Sequence, residues 1–364
     1  MPPEHFYSSG RRKTRQVAAG DVLIGGGAPV SVQSMTKTKT SDIAATITQI
    51  KLCAEHGAHL MRVTINDKAA ADAIGEIVRQ SPLPIIADIH FNHTFALKAI
   101  DAGVAKVRIN PGNIGKPEII KQVLDKAKNK GIPIRIGVNS GSLEKGLIEK
   151  YGTPKAEALF ESAMRHAELA EGYGFRDIVI AVKSTDVRLM IDAYRLLARQ
   201  TDYPLHLGVT EAGTLRAGTI KSAVGIGALL AEGIGDTIRV SLTDSPEKEI
   251  EVGKDILRSL GLMKPGVEII SCPTCGRLES DLPGIVSKLE TALGSIDRPL
   301  KIAVMGCLVN GPGEVAGCDI GVICGKDSAF LYIDGNKVKK MNESEIVEEV
   351  VKMVKEKCGI HDEN

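Results

Sequence analysis

From about residue 28 to 245, short β-branched runs alternate with longer amphipathic stretches. The runs are PVSVQSM (29–35), LMRVTIN (60–66), LPIIADIH (83–90), AKVRIN (105–110), IPIRIGVN (132–139), FRDIVIAV (175–182), YPLHLGVT (203–210) and GDTIRVSL (235–242). Apolar runs of this length predict buried strands, and a 3.6-residue rhythm between them predicts helices such as IAATITQIKLCAEHGA, KPEIIKQVLDKAKNKG and DVRLMIDAYRLLARQ. Gly57, Gly103, Gly131 and Gly174 stand just before the next run, where a helix C-cap is expected. Strands fed by helices pair in parallel, and eight such units close a (β/α)8 TIM-type barrel. A doubly wound open sheet is the alternative. After Ser245-Pro246 the rhythm changes. A helix near 247–261 leads to VEIISCPTCGR, a second helix near 282–294, LKIAVMGC, a Gly-rich loop and CDIGVIC. AFLYIDGNKVKK, with a turn at Asp334-Gly335-Asn336, and a charged helix near 343–357 complete it. The pattern predicts an α/β barrel domain over 1–245 and a smaller α+β domain over 246–364.

Composition narrows the function classes. With 46 Lys+Arg against 45 Asp+Glu, the net charge of +1 argues against a general polyanion binder. Aromatics at 3% and the absence of Trp leave no base-stacking surface. There is no apolar run long enough to cross a membrane. The segment MPPEHFYSSGRRKTRQ lacks the apolar core of a secretory signal, so the chain reads as cytoplasmic. Its seven cysteines therefore point to metal binding or catalysis rather than to disulfides.

Cys272-Pro-Thr-Cys275 ends one predicted strand and Cys307 ends another. CxxC spacing sets two thiolates on one side of a tight turn, a chelate for iron or zinc. Gly311, Gly313 and Gly317 allow backbone N–H groups to approach sulfides. Cys318 or Cys324 could close a structural zinc site, and Cys272 with Cys275 could form a redox dithiol. Three thiolates with a weaker, displaceable fourth ligand suit a [4Fe–4S] cluster with one open iron. Cys53 and Cys358, inside predicted helices, read as incidental thiols.

Barrel enzymes work at the C-terminal strand ends. There, period-two spacing sets Arg62 with Thr64 and Asn66, Asp88 with His90, Arg108 with Asn110, and Arg135 with Asn139 on shared faces. Later strands add Lys183, His206, Glu211 and Arg239. Cations converging from five strands in a near-neutral chain are costly unless an anion occupies the site, and arginine forks suit phosphate. A diphosphate or bisphosphate is the natural ligand. His90, His93 and His206 lack metal-ligand spacing and read as hydrogen-bonding residues. Lys183 could instead form a Schiff base in a sugar-phosphate aldolase whose cysteines hold structural zinc. A non-enzymatic module that carries electrons or docks RNA is the third reading. It leaves the cationic mouth without a role.

The segments VQSMTKT (32–38), VRINPGNIG (107–115), RIGVNSGSLE (135–144), SCPTCGR (271–277) and MGCLVNGPGE (305–314) resemble those of the 4-hydroxy-3-methylbut-2-enyl diphosphate synthase family. The resemblance runs from about residue 10 to 358 and is to the short form, with no domain inserted between barrel and cluster domain. It implies an iron–sulfur oxidoreductase of isoprenoid precursor biosynthesis, in the methylerythritol phosphate pathway. Cys272, Cys275, Cys307 and Glu314 would hold the family's [4Fe–4S] cluster. The implied substrate is 2-C-methyl-D-erythritol 2,4-cyclodiphosphate, bound by Arg62, Asp88, His90, Arg108, Asn110, Arg135, Asn139, Lys183 and Arg239. Glu211 is the candidate proton donor. Ferredoxin or flavodoxin would supply electrons to a homodimer in which one subunit's cluster covers the partner's barrel mouth.

Overall fold

The eight apolar runs become eight parallel strands in the computed structural model of the chain, which describes residues 10–90, 92–109, 117–264, 266–278, 280–294, 296, 298–326 and 328–360. They are β3 (Ser31–Met35), β4 (Leu60–Thr64), β5 (Ile85–Ile89), β6 (Lys106–Ile109), β7 (Ile134–Asn139), β8 (Ile178–Lys183), β9 (His206–Leu207) and β10 (Thr237–Ile238). β3 to β8 pair in chain order, and β10 pairs with both β9 and β3. A bridge between Ile180 and Leu205 joins β8 to the β9 segment, so the ring closes and the open-sheet alternative is excluded. The intervening helices are α1 (Ile43–Glu55), α2 (Lys68–Gln80), α3 (His93–Asp101), α4 (Pro117–Lys130), α5 (Lys145–Tyr151), α6 (Ala156–Gly172), α7 (Val187–Gln200), α8 (Leu215–Ala231) and α9 (Pro246–Ser259). Asp42, Asp67 and Asp186 cap α1, α2 and α7 by accepting the N–H three residues on. The four expected C-cap glycines all take positive φ.

The eight-run reading does not include the hairpin of β1 (Gln16–Ala19) and β2 (Val22–Gly25). Its Val17, Ala19 and Ile24 pack on Leu60, Ile86 and Val179, which lie near the N-terminal ends of their strands. The hairpin thereby closes the barrel at the N-terminal ends of its strands.

Compact units divide between Met263 and Lys264, not at the expected 245/246 boundary. Pro246 occupies the first turn of α9, the helix expected near 247–261. That helix lies on β3: a Cβ at Gly253 would meet Val32 at 3.1 Å. The second unit has a five-stranded sheet ordered β11 (Val267–Ser271), β12 (Leu300–Met305), β13 (Ile320–Gly325), β14 (Ser328–Ile333) and β15 (Asn336–Met341). The first three strands run parallel and the last two antiparallel. Asp334 and Gly335 both take positive φ in the final hairpin, the geometry of a type I′ turn. Helices α10 (Leu282–Leu293) and α12 (Ile346–Cys358) cover one sheet face, burying Leu289, Val350 and Val354 on Ile302 and Val322. The short α11 (Gly311–Val315) follows β12. Among the described residues, no helix is long and apolar enough to cross a membrane.

Candidate active site

Alternation along the strands aims one residue in two at the barrel lumen. At the C-terminal end this builds a cavity of about 260 Å³ lined by Arg62, Arg108, Arg135, Lys183 and Arg239, the five expected cations, with Asp88, His90 and Asn139. Asn110 lies outside the described residues, as do positions 111–115 of the segment that contains it. Asn66 is exposed beyond the end of β4 and does not line the cavity. Sequence reasoning missed Met35, Thr210 and Ser241 on the wall. Each stands two residues beyond a lumen-facing neighbour, so the same period-two rule would have found them.

Asp88 organises the cations. Arg108 Nη1 donates to its Oδ1 at 3.0 Å, Arg62 Nε lies 3.7 Å from Oδ2, and His90 Nε2 lies 3.3 Å from Oδ2. Burial favours the protonated acid, but these neighbours outweigh it and hold the carboxyl well below its usual range. Arg62 is pulled down to about 10 by burial and the nearby arginines, against Asp88, and stays charged at neutral pH. Behind Arg239 stands Glu249, a buried carboxylate that sequence reasoning did not single out. It binds Arg239 Nη2 at 3.1 Å and accepts from Ser34 Oγ at 2.8 Å and Leu242 N at 3.0 Å. Lys183 has no carboxylate within ion-pair distance among the described residues. Burial, then Arg135 and Arg239, push its ammonium well below the usual range. An anion in the cavity would reverse that repulsion.

His206 corrects its expected role. It sits at the start of β9, one lumen layer below the mouth, fully buried and absent from the cavity wall. Among the described residues neither ring nitrogen has a hydrogen-bond partner, and burial with the surrounding cations keeps it neutral. Thr210, four residues on, reaches the mouth instead. Lys106 is fully buried, and its Nζ also has no hydrogen-bond partner among the described residues. His93 opens α3 and does not line the cavity.

Glu211 is exposed on the loop after β9 and takes φ +50, a left-handed conformation costing on the order of 1–3 kcal/mol for a non-glycine residue. It does not line the cavity.

In the second unit, Cys272 follows β11 and Cys307 follows the adjacent parallel strand β12. Thr274, between Cys272 and Cys275, takes φ +65, so the CxxC turn is strained at a β-branched residue. Arg277 is hydrogen-bonded to Cys307 and within electrostatic reach of Cys275 and Cys272. The Val309 N–H, with Arg277 and the Asn310 N–H, draws the Cys307 thiol below its ordinary range against a smaller opposing effect of burial. Glu314 is exposed on α11, and its backbone carbonyl accepts from Cys318 Sγ at 3.3 Å. Among the described residues, no three His, Cys, Asp or Glu side chains gather tightly enough for a single metal ion. Cys318 and Cys324 are buried with raised thiols. Burial pushes Cys53 up to about 12, consistent with an inert thiol.

Residues 14–254 match the family model described as the GcpE TIM-barrel domain, and residues 268–356 the GcpE protein C-terminal domain. The chain belongs to the GcpE family. This GcpE chain is 52% identical over 344 residues to the 4-hydroxy-3-methylbut-2-en-1-yl diphosphate synthase (flavodoxin) of Aquifex aeolicus (strain VF5), covering 94% of this chain and 96% of that one. The protein of the same name from Clostridium perfringens (strain 13 / Type A) is also 52% identical, with 94% and 99% covered. The Geobacillus thermodenitrificans (strain NG80-2) protein of that name is 51% identical, with 94% and 92% covered. Among solved structures, a Yersinia pestis dihydropteroate synthase overlays the GcpE chain with a TM-score of 0.47 at 12% identity, covering 68% of it and 98% of the synthase. That likeness is too slight to bear on function.

Proposed function

We propose that this GcpE chain catalyses the reaction named for its relatives, making 4-hydroxy-3-methylbut-2-enyl diphosphate from 2-C-methyl-D-erythritol 2,4-cyclodiphosphate. Two electrons and two protons open the ring and release one water. The observation that carries the substrate half is the mouth itself, where Arg62, Arg108, Arg135, Lys183 and Arg239 face one cavity and Asp88 is the one acid among the described residues of its wall. Arginine forks bind phosphate oxygens bidentately, so this excess of cations seats a diphosphate and fixes the ring above it. Asp88 keeps the arginines aligned, and His90 and Asn139 supply hydrogen bonds at the rim.

The donor chemistry of the second unit suits an iron–sulfur group, since Cys272, Cys275 and Cys307 follow two adjacent parallel strands within electrostatic reach of one arginine. Cys272, Cys275, Cys307 and Glu314 would hold a [4Fe–4S] cluster, Glu314 being the poorer iron ligand and the one that can yield. When bound, the cluster supplies the two electrons one at a time. Flavodoxin, or ferredoxin, is the donor, and the working form is a homodimer in the cytoplasm. Glu211, held exposed on a strained loop, delivers the proton that leaves with the hydroxyl. The relatives' name does not favour the Schiff-base reading of Lys183.

The test is anaerobic purification with iron and sulfide analysis, followed by turnover of the cyclodiphosphate. About four irons and four sulfides per chain with turnover support the proposal, whereas zinc without sulfide overturns it. Arg108→Ala and Arg135→Ala should each raise KM about tenfold or more, the loss expected for a charge-assisted hydrogen bond, while visible absorbance persists. Loss of absorbance in either variant would remove that residue from the substrate site.

A further inference from the structure

The lumen face of β7 presents Arg135, Gly137 and Asn139 in succession, so Gly137 faces the cavity between two polar side chains. Its backbone does not require glycine, since Gly137 is not among the positive-φ residues. Space requires it instead. A Cβ at this position would lie 2.7 Å from Arg108 Nε, 3.2 Å from Nη2 and 3.4 Å from Cζ. The nearest obstruction is thus the head of one flexible side chain, and no backbone atom is among those three. Arg108 Nη2 also points to Gly137 O at 3.4 Å, while Nη1 holds Asp88 at 3.0 Å. Gly208 repeats the device beyond β9: a Cβ there would lie 2.6 Å from Lys183 Nζ. It would also lie 2.6 Å from Arg239 O, so at Gly208 strand spacing adds a second demand. Glycine inside a strand weakens it and marks a close approach. Here both approaching groups are cations of the mouth.

We infer that Gly137 is a positioning residue of the anion site: the space left by its missing side chain seats the Arg108 guanidinium between Asp88 and the cavity. Gly208 seats the Lys183 ammonium in the same way. The inference rests on the reading that the cavity takes the diphosphate.

The test is a double-mutant cycle in the cluster-loaded enzyme with Gly137→Ala, Arg108→Ala and the pair. Pyrophosphate affinity is measured by calorimetry, alongside the melting temperature and KM and kcat for the cyclodiphosphate. Gly137→Ala should leave melting close to wild type and weaken pyrophosphate about tenfold, as expected when one charge-assisted contact is lost. KM should rise by a similar factor with little change in kcat. In the Arg108→Ala background the same substitution should change nothing further. Wild-type affinity in Gly137→Ala overturns the proposal, as does an undiminished loss in the Arg108→Ala background. If Gly137→Ala does not fold, recovery of the fold in the double variant supports the seat and failure to recover overturns it. Wild-type pyrophosphate affinity in Arg108→Ala would remove the anion-site reading, and the inference with it. A loss there beside an intact Gly137→Ala removes the inference alone.

Discussion

Asp88 holds a position that replacement by a neutral isostere can probe. Its two oxygens face Arg62, Arg108 and His90, and it is the acid on a wall that carries five cations. Asp88→Asn retains the shape and one acceptor but leaves two buried guanidinium groups short of compensation. Breaking a buried ion pair from one side costs about 3–5 kcal/mol, and Asn keeps part of the hydrogen bonding, so the lower end is expected. The variant should melt lower than wild type, and pyrophosphate should raise its melting point by more, because the added anion now meets an uncompensated mouth. Thermal melts with and without pyrophosphate read both effects. An unchanged melting point would show that Asp88 does not balance the arginines.

The junction of α5 and α6 depends on Glu144, whose carboxylate accepts from Ser162 Oγ at 2.9 Å and lies 2.8 Å from His166 Nε2. Partial burial would raise its pKa, but the bonds from His166 and Ser162 outweigh that and hold it at about 2. The folded value lies below the unfolded one. The stabilisation is therefore complete above an ordinary glutamate pKa of about 4.3 and is lost as pH falls from there toward 2. Glu144→Gln should flatten the dependence of melting temperature on pH across that acid window while changing little of the slope above pH 5; parallel curves would contradict the assignment. Such ties between helices cannot be read from one-dimensional pattern, whereas the strands could. All eight barrel strands were legible because both faces of each are buried and their sequences are nearly continuous apolar runs. The β1–β2 hairpin was not, since two four-residue strands offer too little alternation to stand out. Ser245-Pro246 looked like a break because the strand–helix rhythm changes there, and pattern alone does not tell which core the helix that follows will join. The five mouth cations followed from period two. The depth of His206 did not, because alternation gives the face of a residue but not its layer. Glu249 stayed hidden for a related reason: as one acid on a charged amphipathic helix, it reveals its burial only through its partners Arg239 and Ser34.

Each unit has a main apolar core of its own, that of the barrel around residues such as Ile50, Ile136 and Leu229, that of the second unit around Leu289, Ile302 and Val350. The shift of the boundary to 263/264 assigns α9 to the first core and leaves the second unit a sheet with its own covering helices. Units with independent cores unfold independently unless something couples them, and under the proposed function each here would carry a different ligand. A ligand that binds only the folded form stabilises it by about 2.7 kcal/mol at a hundredfold excess over Kd. Cluster loss removes folding free energy from the unit whose side chains hold it. Calorimetry of the loaded enzyme should therefore resolve two transitions. Pyrophosphate should raise the one belonging to residues 10–263, through the arginines of the mouth, and leave the other in place. Anaerobic removal of iron should lower only the transition of residues 264–360, where Cys272, Cys275 and Cys307 lie. Assignment is direct, since a loss of affinity of about tenfold in Arg135→Ala should cut the pyrophosphate response of the first transition by about half at the same concentration, and Cys307→Ala should abolish the iron response of the second. A single transition moved by both treatments would mean that the two units fold as one, and that the mouth and the cysteine site are thermodynamically coupled.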